Sequence, residues 1–321
     1  MAARGRLRRI GQRGLGAGVA LWLAATLGFL CLRLAPGDPA RPGDPTVPAA
    51  HSAALERLYG LDRTLAAQYR AWMGSLLRGD LGWSFHYRRP VSQVIAAAVP
   101  PTLVLAALAL TLQYGAALTL AVAACRGRRL RRSFDLATTV LYAMPTFWLG
   151  LLALRWFGHS LGWFPTFGAS SLATSTWWPW WADWLRHASL PAAALALANL
   201  GLVYRLTSTA LTEALEAPYT LAARARGLSE RRLLWRHALR NAAPTAVHRL
   251  GLDLPGVLSG TLILEVLFSR PGLGRVAHQA FLARDFPVLA TVTTAAGALV
   301  ILGSLLSDLA HSALDPRVDH G

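Results

Sequence analysis

The sequence predicts an all-α membrane protein with six transmembrane helices and both termini inside the cell, and three observations carry that prediction. Hydrophobic residues make up 54% of the chain and charged residues only 15%, a balance foreign to a soluble protein of 321 residues. The apolar residues gather into six runs, each near the roughly 20 residues that a helix needs to cross a hydrocarbon core about 30 Å thick. The 32 basic residues are all arginine, and they crowd some of the segments between the runs while nearly avoiding others.

The spans are expected near 15–34, 102–124, 135–157, 188–210, 246–268 and 289–311. The first has basic residues before it and small ones after it, as a secretory signal does. Its apolar run exceeds the roughly 7–15 residues of a signal core, so a retained anchor is expected. Five arginines precede it (Arg4, Arg6, Arg8, Arg9, Arg13), and five follow span two (Arg126, Arg128, Arg129, Arg131, Arg132). Six lie in the loop after span four (Arg224, Arg226, Arg231, Arg232, Arg236, Arg240), whereas the loop after span three has only Arg186 at its end. Positive charge stays on the cytoplasmic side, which puts both termini inside. The seven arginines from Arg41 to Arg89 lie in a segment too long for that rule to weigh fully. The formal charge of +16 therefore reads as topology, and no nucleic-acid partner is expected.

Between spans one and two, Pro36-Gly-Asp-Pro39 and Pro42-Gly-Asp-Pro45 stop the first helix. Leu55, Leu58, Leu61, Leu65, Tyr69, Trp72 and Leu76 then recur at three and four residues. That spacing predicts one or two short amphipathic helices, read as a cap on the membrane surface in preference to a substrate contact. The loop before span four carries Trp163, Trp177, Trp178, Trp180, Trp181 and Trp184. Indole rings favour the headgroup layer, so interfacial anchoring is preferred there over a ligand-stacking site. Pro145 in span three, Pro191 at the start of span four and Pro255 in span five are expected to break helical hydrogen bonding and kink their spans.

Cys31 and Cys125 fall near opposite ends of spans one and two, with neither metal-ligand spacing nor a plausible external disulfide. None of the nine histidines forms an H-E-x-x-H pattern, so no metal, cofactor or catalytic residue is expected. A phosphate-cradling P-loop needs a Gly-Lys pair. A chain without lysine has no such site of its own.

The segment 211–243 is a charged, helix-forming loop between two apolar runs. A short helix is expected from near Tyr219, ended by Gly227, with Ser229 capping a second helix. Ala222, Ala223, Gly227 and Leu239 have the spacing of the cytoplasmic loop with which permease subunits of ABC importers grip their ATPases. The wording Ala223-Arg224-Ala225-Arg226-Gly227-Leu228 followed by His237-Ala-Leu-Arg-Asn resembles the dipeptide/oligopeptide/nickel branch of that family. Leu77-Arg-Gly-Asp-Leu-Gly-Trp-Ser84, Glu265-Val-Leu-Phe-Ser-Arg-Pro-Gly-Leu-Gly-Arg275, Ala283-Arg-Asp-Phe-Pro287 and Leu314-Asp-Pro-Arg317 are similar to further stretches of the same branch, in order along nearly the whole chain. Leu221, where the wider family often has Glu, and Arg240, where it has Pro, are departures that this branch commonly shares.

The resemblance implies a type I ABC importer permease fold. An anchor and extracytoplasmic segment are expected over 1–99 and the permease domain over 100–321. It implies half of a pathway for peptides or a related small solute such as nickel, completed by a second related permease. It also implies a solute-binding protein outside, two cytoplasmic ATPase domains that use the ATP, and an inner-membrane location. The implied coupling residues are Tyr219, Ala222, Ala223, Arg224, Ala225, Arg226, Gly227, Leu228, His237 and Leu239. An ion-driven secondary transporter and a membrane-embedded enzyme are the alternatives, the first disfavoured by the lack of an internal repeat and the second by the histidine spacing.

Ionisable groups inside spans cost at least about 2.5–3.5 kcal/mol unless paired or hydrated. Arg249 and Asp253, four apart, are expected to pair, and Arg205, Glu265 and Asp308 lie nearer span ends. Asp253 and Glu265 are retained as candidates to line a pathway.

The arginine distribution predicts that Arg126–Arg132 and Glu213–Ala243 face the cytoplasm, while Pro36–Val99, Gly158–His187 and Ser269–Pro287 face outward. Single cysteines placed in a variant lacking Cys31 and Cys125 test this. A cysteine at position 222 should resist an impermeant reagent in intact cells, and its labelling from outside would overturn the topology.

Overall fold

The computed structural model describes residues 2–34, 63–84, 86–170 and 179–314, and these are mostly helical. The expected features at Pro36–Pro45, Leu55, Leu58, Leu61, Trp177, Trp178 and Asp315-Pro-Arg317 lie outside the described residues. In chain order the elements are α1 (Ala2–Leu34), α2 (Leu65–Leu77), strands β1 (Trp83–Ser84) and β2 (Arg89–Pro90), and α3 (Val91–Ala124). Helix α4 (Arg128–Ala143) precedes α5 (Thr146–Ala153), which continues as a π-helix over Leu154–Ser160. Then come α6 (Trp180–Glu216), α7 (Pro218–Ala225), α8 (Glu230–Arg232), a π-helical stretch Leu233–Ala238, α9 (Leu239–Leu267), α10 (Leu273–Leu282) and α11 (Phe286–Leu314).

Five of these helices are long and apolar enough to cross a membrane, over Gly14–Leu34, Val91–Ala124, Trp181–Glu216, Arg249–Leu267 and Phe286–Leu305. They take in five of the six expected spans. The third is realised differently, because α4 and the α5 stretch meet at a bend of 102° and make a sixth crossing only when counted as one. At about 1.5 Å per residue, the 16 residues of α4 reach about 24 Å, short of the hydrocarbon thickness by themselves. The cause is local. Pro145 has no N–H to donate and pushes its predecessor out of helical conformation, so Met144 and Pro145 are both extended, with ψ of 134° and 138°.

Pro191 and Pro255, unlike Pro145, sit inside helices that run on through them, α6 and α9. Each proline removes one backbone N–H, and the remaining hydrogen bonds carry the helix past it. Trp180, Trp181 and Trp184 differ from expectation, lying in the first turns of α6 and not in a loop.

The chain forms two compact units, Met1–Pro101 with Pro271–Ile301 and Thr102–Arg270 with Leu302–Gly321. In the first, Thr64 caps α2 by accepting from the Ala67 N–H, and the helix packs its aromatic residues on α1. The Phe29 ring stacks on Trp72 at 5.1 Å and meets Tyr69 edge-on at 5.5 Å, while Tyr69 and Thr26 share a hydrogen bond of 2.8 Å. This helix takes in Leu65, Tyr69, Trp72 and Leu76 of the stretch for which short helices were expected. The strands pair Trp83 with Pro90 and Ser84 with Arg89. Buried Asp285 ties this hairpin to the start of α11, since one carboxylate oxygen accepts from Ser84 Oγ at 2.6 Å and from the His86 N–H at 3.2 Å. Tyr87 donates its hydroxyl to Gln279 Oε1 at 2.8 Å, and burial together with Asp285 raises its pKa, which extends the donor's range to more alkaline pH.

In the second unit, helices approach closely at small residues. A Cβ on Gly201 of α6 would lie 2.6 Å from the Thr138 carbonyl oxygen of α4, and one on Gly260 of α9 would lie 2.6 Å from Leu195 Cδ1 of α6. Side chains at these points would separate the helices.

Gly201→Val should therefore lower stability by about 1–3 kcal/mol through overpacking against backbone that cannot yield. Gly115→Ala, where an added Cβ meets nothing within 4 Å, should be neutral or stabilising. Thermal unfolding in detergent compares the two.

Candidate functional site

Segment 211–243 forms a compact turn between α6 and α9. Proline at the first position of α7 supplies a φ suited to a helix start, where its missing N–H has no partner to lose. The helix ends in a Schellman arrangement, with the Gly227 N–H donating to Arg224 O at 2.9 Å and the Leu228 N–H to Ala223 O at 3.3 Å. Gly227 has φ +83°, a conformation that residues with a Cβ resist by about 1–2 kcal/mol. Ser229 takes the cap position of α8, but its hydroxyl makes no capping hydrogen bond, which corrects the role expected of it. The junction is held instead by Arg224, which grips Glu230 with two bonds of 2.6 and 3.0 Å. Those bonds hold the Glu230 carboxyl below its ordinary pKa and the Arg224 guanidinium above its own. The tie is complete at neutral pH and is lost as the pH falls through the lowered Glu230 value.

Burial sorts the expected coupling residues into two sets. Tyr219 and Leu221 are 43% and 51% exposed, and Ala222, Arg224, Ala225, Arg226 and Gly227 are exposed with them. Ala223 is buried within its own chain, and Leu228, His237 and Leu239 are half-buried. Beside Ala223, buried Thr220 donates its hydroxyl to Ala214 O at 2.7 Å and fastens α7 to the end of α6. Beneath the turn lies a core rich in small residues, including Ala117, Ala121, Ala214, Ala238 and Ala242, with Tyr204 and Leu211 among them. A groove of about 770 Å³ opens beside it, lined by Arg126, Leu215, Arg224, Glu230, Arg231 and Trp235. Sequence reasoning missed Thr220 and the Arg224–Glu230 pair; the six-residue separation of the latter falls outside helical pairing rules.

Residues 113–320 match the family model described as binding-protein-dependent transport system inner membrane component. The chain belongs to that family. The oligopeptide transport system permease protein AppB of Bacillus subtilis is 32% identical, over 92% of this chain and 93% of its own. A putative peptide transport system permease protein of Brucella suis is 36% identical, over 93% and 94%. A probable peptide ABC transporter permease protein of Sinorhizobium fredii is 31% identical, over 90% and 92%. The inward-facing MetNI methionine ABC transporter shares the fold at a TM-score of 0.56 and 17% identity, over 70% of this chain and 97% of that one. The chain is thus an inner-membrane permease subunit of an ABC importer, with the type I fold and a transport role in place of an enzymatic one.

Two carboxylates of the permease's spans, Asp253 and Glu265, are held by named partners. Asp253 is 8% exposed and pairs with Arg249 at 2.5 Å, as the four-residue spacing predicts. Its other oxygen accepts from the Tyr114 hydroxyl at 2.8 Å and from Gln113 Nε2 at 3.3 Å, so the carboxylate clamps α9 to α3. Glu265 is 1% exposed and accepts from Thr102 Oγ1 at 2.7 Å. Arg270, just past α9, is equally buried, and its guanidinium lies 5.0 Å from the Trp184 ring centroid. None of the three guanidinium nitrogens has a hydrogen-bond partner among the described residues. Burial lowers its pKa, against the smaller opposing effect of Glu265. No sequence signal pointed to the meeting of Arg270 with Trp184, because the two come from different elements.

Asp253→Ala should cost about 3 kcal/mol, because it strands Arg249 and leaves Tyr114 and Gln113 without an acceptor. Asp253→Asn, which keeps an acceptor oxygen, should cost less. Thermal midpoints of the purified variants give the order, and equal midpoints for wild type and Asp253→Ala would refute the clamp.

Proposed function

We propose that this permease forms half of a translocation pathway for peptides, completed by a second, related permease, and that ATPase domains on separate chains drive it through the 211–243 turn. The observation that carries this reading is the form of the turn. An exposed apolar patch of Tyr219, Leu221 and Ala222 stands beside exposed arginines, while its inner side is fastened to the spans through Thr220 and Ala223. A partner pressing on such a patch moves α7, and α7 is bonded to the end of α6. The adjoining groove offers Trp235 and arginines to an acidic or apolar element of the same partner. The motor belongs on another chain because a protein without lysine lacks the residue that a standard P-loop uses to hold nucleotide phosphates.

Peptide cargo follows the names of the relatives, and delivery by an extracytoplasmic solute-binding protein follows the family description. Alternating access in this reading is a rigid-body response of the spans to the turn. Asp253 and Glu265 act within it as clamps that keep α9 and α3 moving together.

Gly227→Val, which strains the Schellman turn, and Ala222→Glu, which puts a carboxylate on the exposed patch, should leave insertion intact. Each should reduce ATPase co-purification or labelled-dipeptide uptake by about ten-fold, the equivalent of about 1.4 kcal/mol. Arg128→Ala serves as the control. Ala223→Glu is unsuitable as a docking probe, since a buried carboxylate there would disturb the turn itself. Wild-type assembly and uptake by both variants would remove the coupling assignment, and ATP hydrolysis by the permease purified free of other subunits would remove the separate motor.

A further inference from the structure

We propose that the end of α1 near Arg33 holds the headgroup of one zwitterionic aminophospholipid, in a cavity that α1 shares with α2, the β1 approach and the start of α11. The cavity measures about 340 Å³ and has apolar walls from Phe29, Leu32, Trp72 and Phe286. Ligand pockets span about 300–1,000 Å³, so this one suits a single compact group and is small for a peptide of several residues.

Its polar groups match a phosphate joined to an ammonium. Arg33 lies 5.6 Å from the Phe29 ring centroid and 5.4 Å from that of Phe286, contacts that orient the guanidinium while leaving N–H donors for an anion. Arg63 lines the same cavity and adds a second cation for the phosphate. Asp80 lines it too, with one oxygen accepting from the Gly82 N–H at 3.0 Å, and supplies a carboxylate for the ammonium.

The approach to the cavity identifies the source of that headgroup. Gly14–Leu34 is a span-length apolar helix with only 11% of its most apolar window buried within this chain, which leaves most of its apolar surface open to acyl chains. Leu15, Val19, Leu23 and Leu27 recur every four residues and are 46–72% exposed, making an apolar stripe for acyl chains on the helix that ends at Arg33. The cavity thus sits at headgroup depth, where Trp72 also belongs. A water-soluble peptide or free phosphate would leave that stripe without a role.

The test is native mass spectrometry of the delipidated full-length chain in mild detergent, titrated with phosphatidylethanolamine, phosphatidylglycerol and diacylglycerol of equal acyl chains. Phosphatidylethanolamine should bind at least about ten-fold better than diacylglycerol and about three-fold better than phosphatidylglycerol, with millimolar inorganic phosphate or alanyl-alanine displacing none of it. Arg33→Gln and Ala71→Phe, the latter filling the cavity without removing a charge, should each lower its occupancy about five-fold at unchanged thermal midpoint, and Arg128→Ala should not. Should Arg33→Gln fail to fold, Ala71→Phe decides the matter. Equal binding of diacylglycerol would reduce the cavity to an apolar groove, and equal binding of phosphatidylglycerol would remove the role of Asp80. Displacement by phosphate or by the dipeptide would make it an anion or cargo site, and wild-type occupancy in Ala71→Phe would place the lipid elsewhere; each of these results overturns the proposal.

Discussion

Close approach of helices at residues without bulk is the constraint on which the membrane part of this permease depends. Hydrocarbon gives apolar side chains little reason to leave it, so helices there are held by van der Waals contact and by polar groups that find each other. Gly201 lets α6 approach the backbone of α4, Gly260 admits Leu195 between α6 and α9, and a core rich in alanine continues that fit down to the 211–243 turn. The polar contacts lie along the same helices. Asp253 joins α9 to Tyr114 and Gln113 of α3, and Glu265 joins α9 to Thr102.

This arrangement gives α9 an unusual reach. It follows directly from the π-helical stretch of the 211–243 turn, passes the Asp253 clamp and ends beside Glu265 and Arg270. Under the proposed function, a push on α7 is carried by covalent continuity and by the Thr220 bond, with no need of a flexible relay. The Schellman turn at Gly227 serves the same end, because a defined reversal transmits a displacement that a loose loop would absorb.

Much of this was legible in sequence because the relevant signals are local or periodic. Five apolar runs became five long helices, since in lipid each backbone N–H and C=O must be paired within its own segment. The ends of α7 were legible for a similar reason, Pro218 and Gly227 having strong conformational preferences wherever they occur. The Arg249–Asp253 pair followed from its four-residue spacing. Prolines were harder to read. Pro145 lies at a corner of 102°, with Met144 and Pro145 both extended, while Pro191 and Pro255 leave α6 and α9 continuous, and the residue type alone does not separate these outcomes.

By itself, then, the sequence determined the class of protein, the approximate position of five of the apolar spans, the absence of a P-loop lysine, and the existence of a helical turn at 218–232. Tertiary structure alone decided which alanine of that turn faces inward, that Ser84 meets Asp285 two hundred and one residues later, and that Arg270 is buried against Trp184. The division has a physical reason. Hydropathy, turn preference and charge act over a few residues and leave their mark in composition, whereas a hydrogen bond or ring contact between distant segments depends on where packing brings them, which no local pattern records.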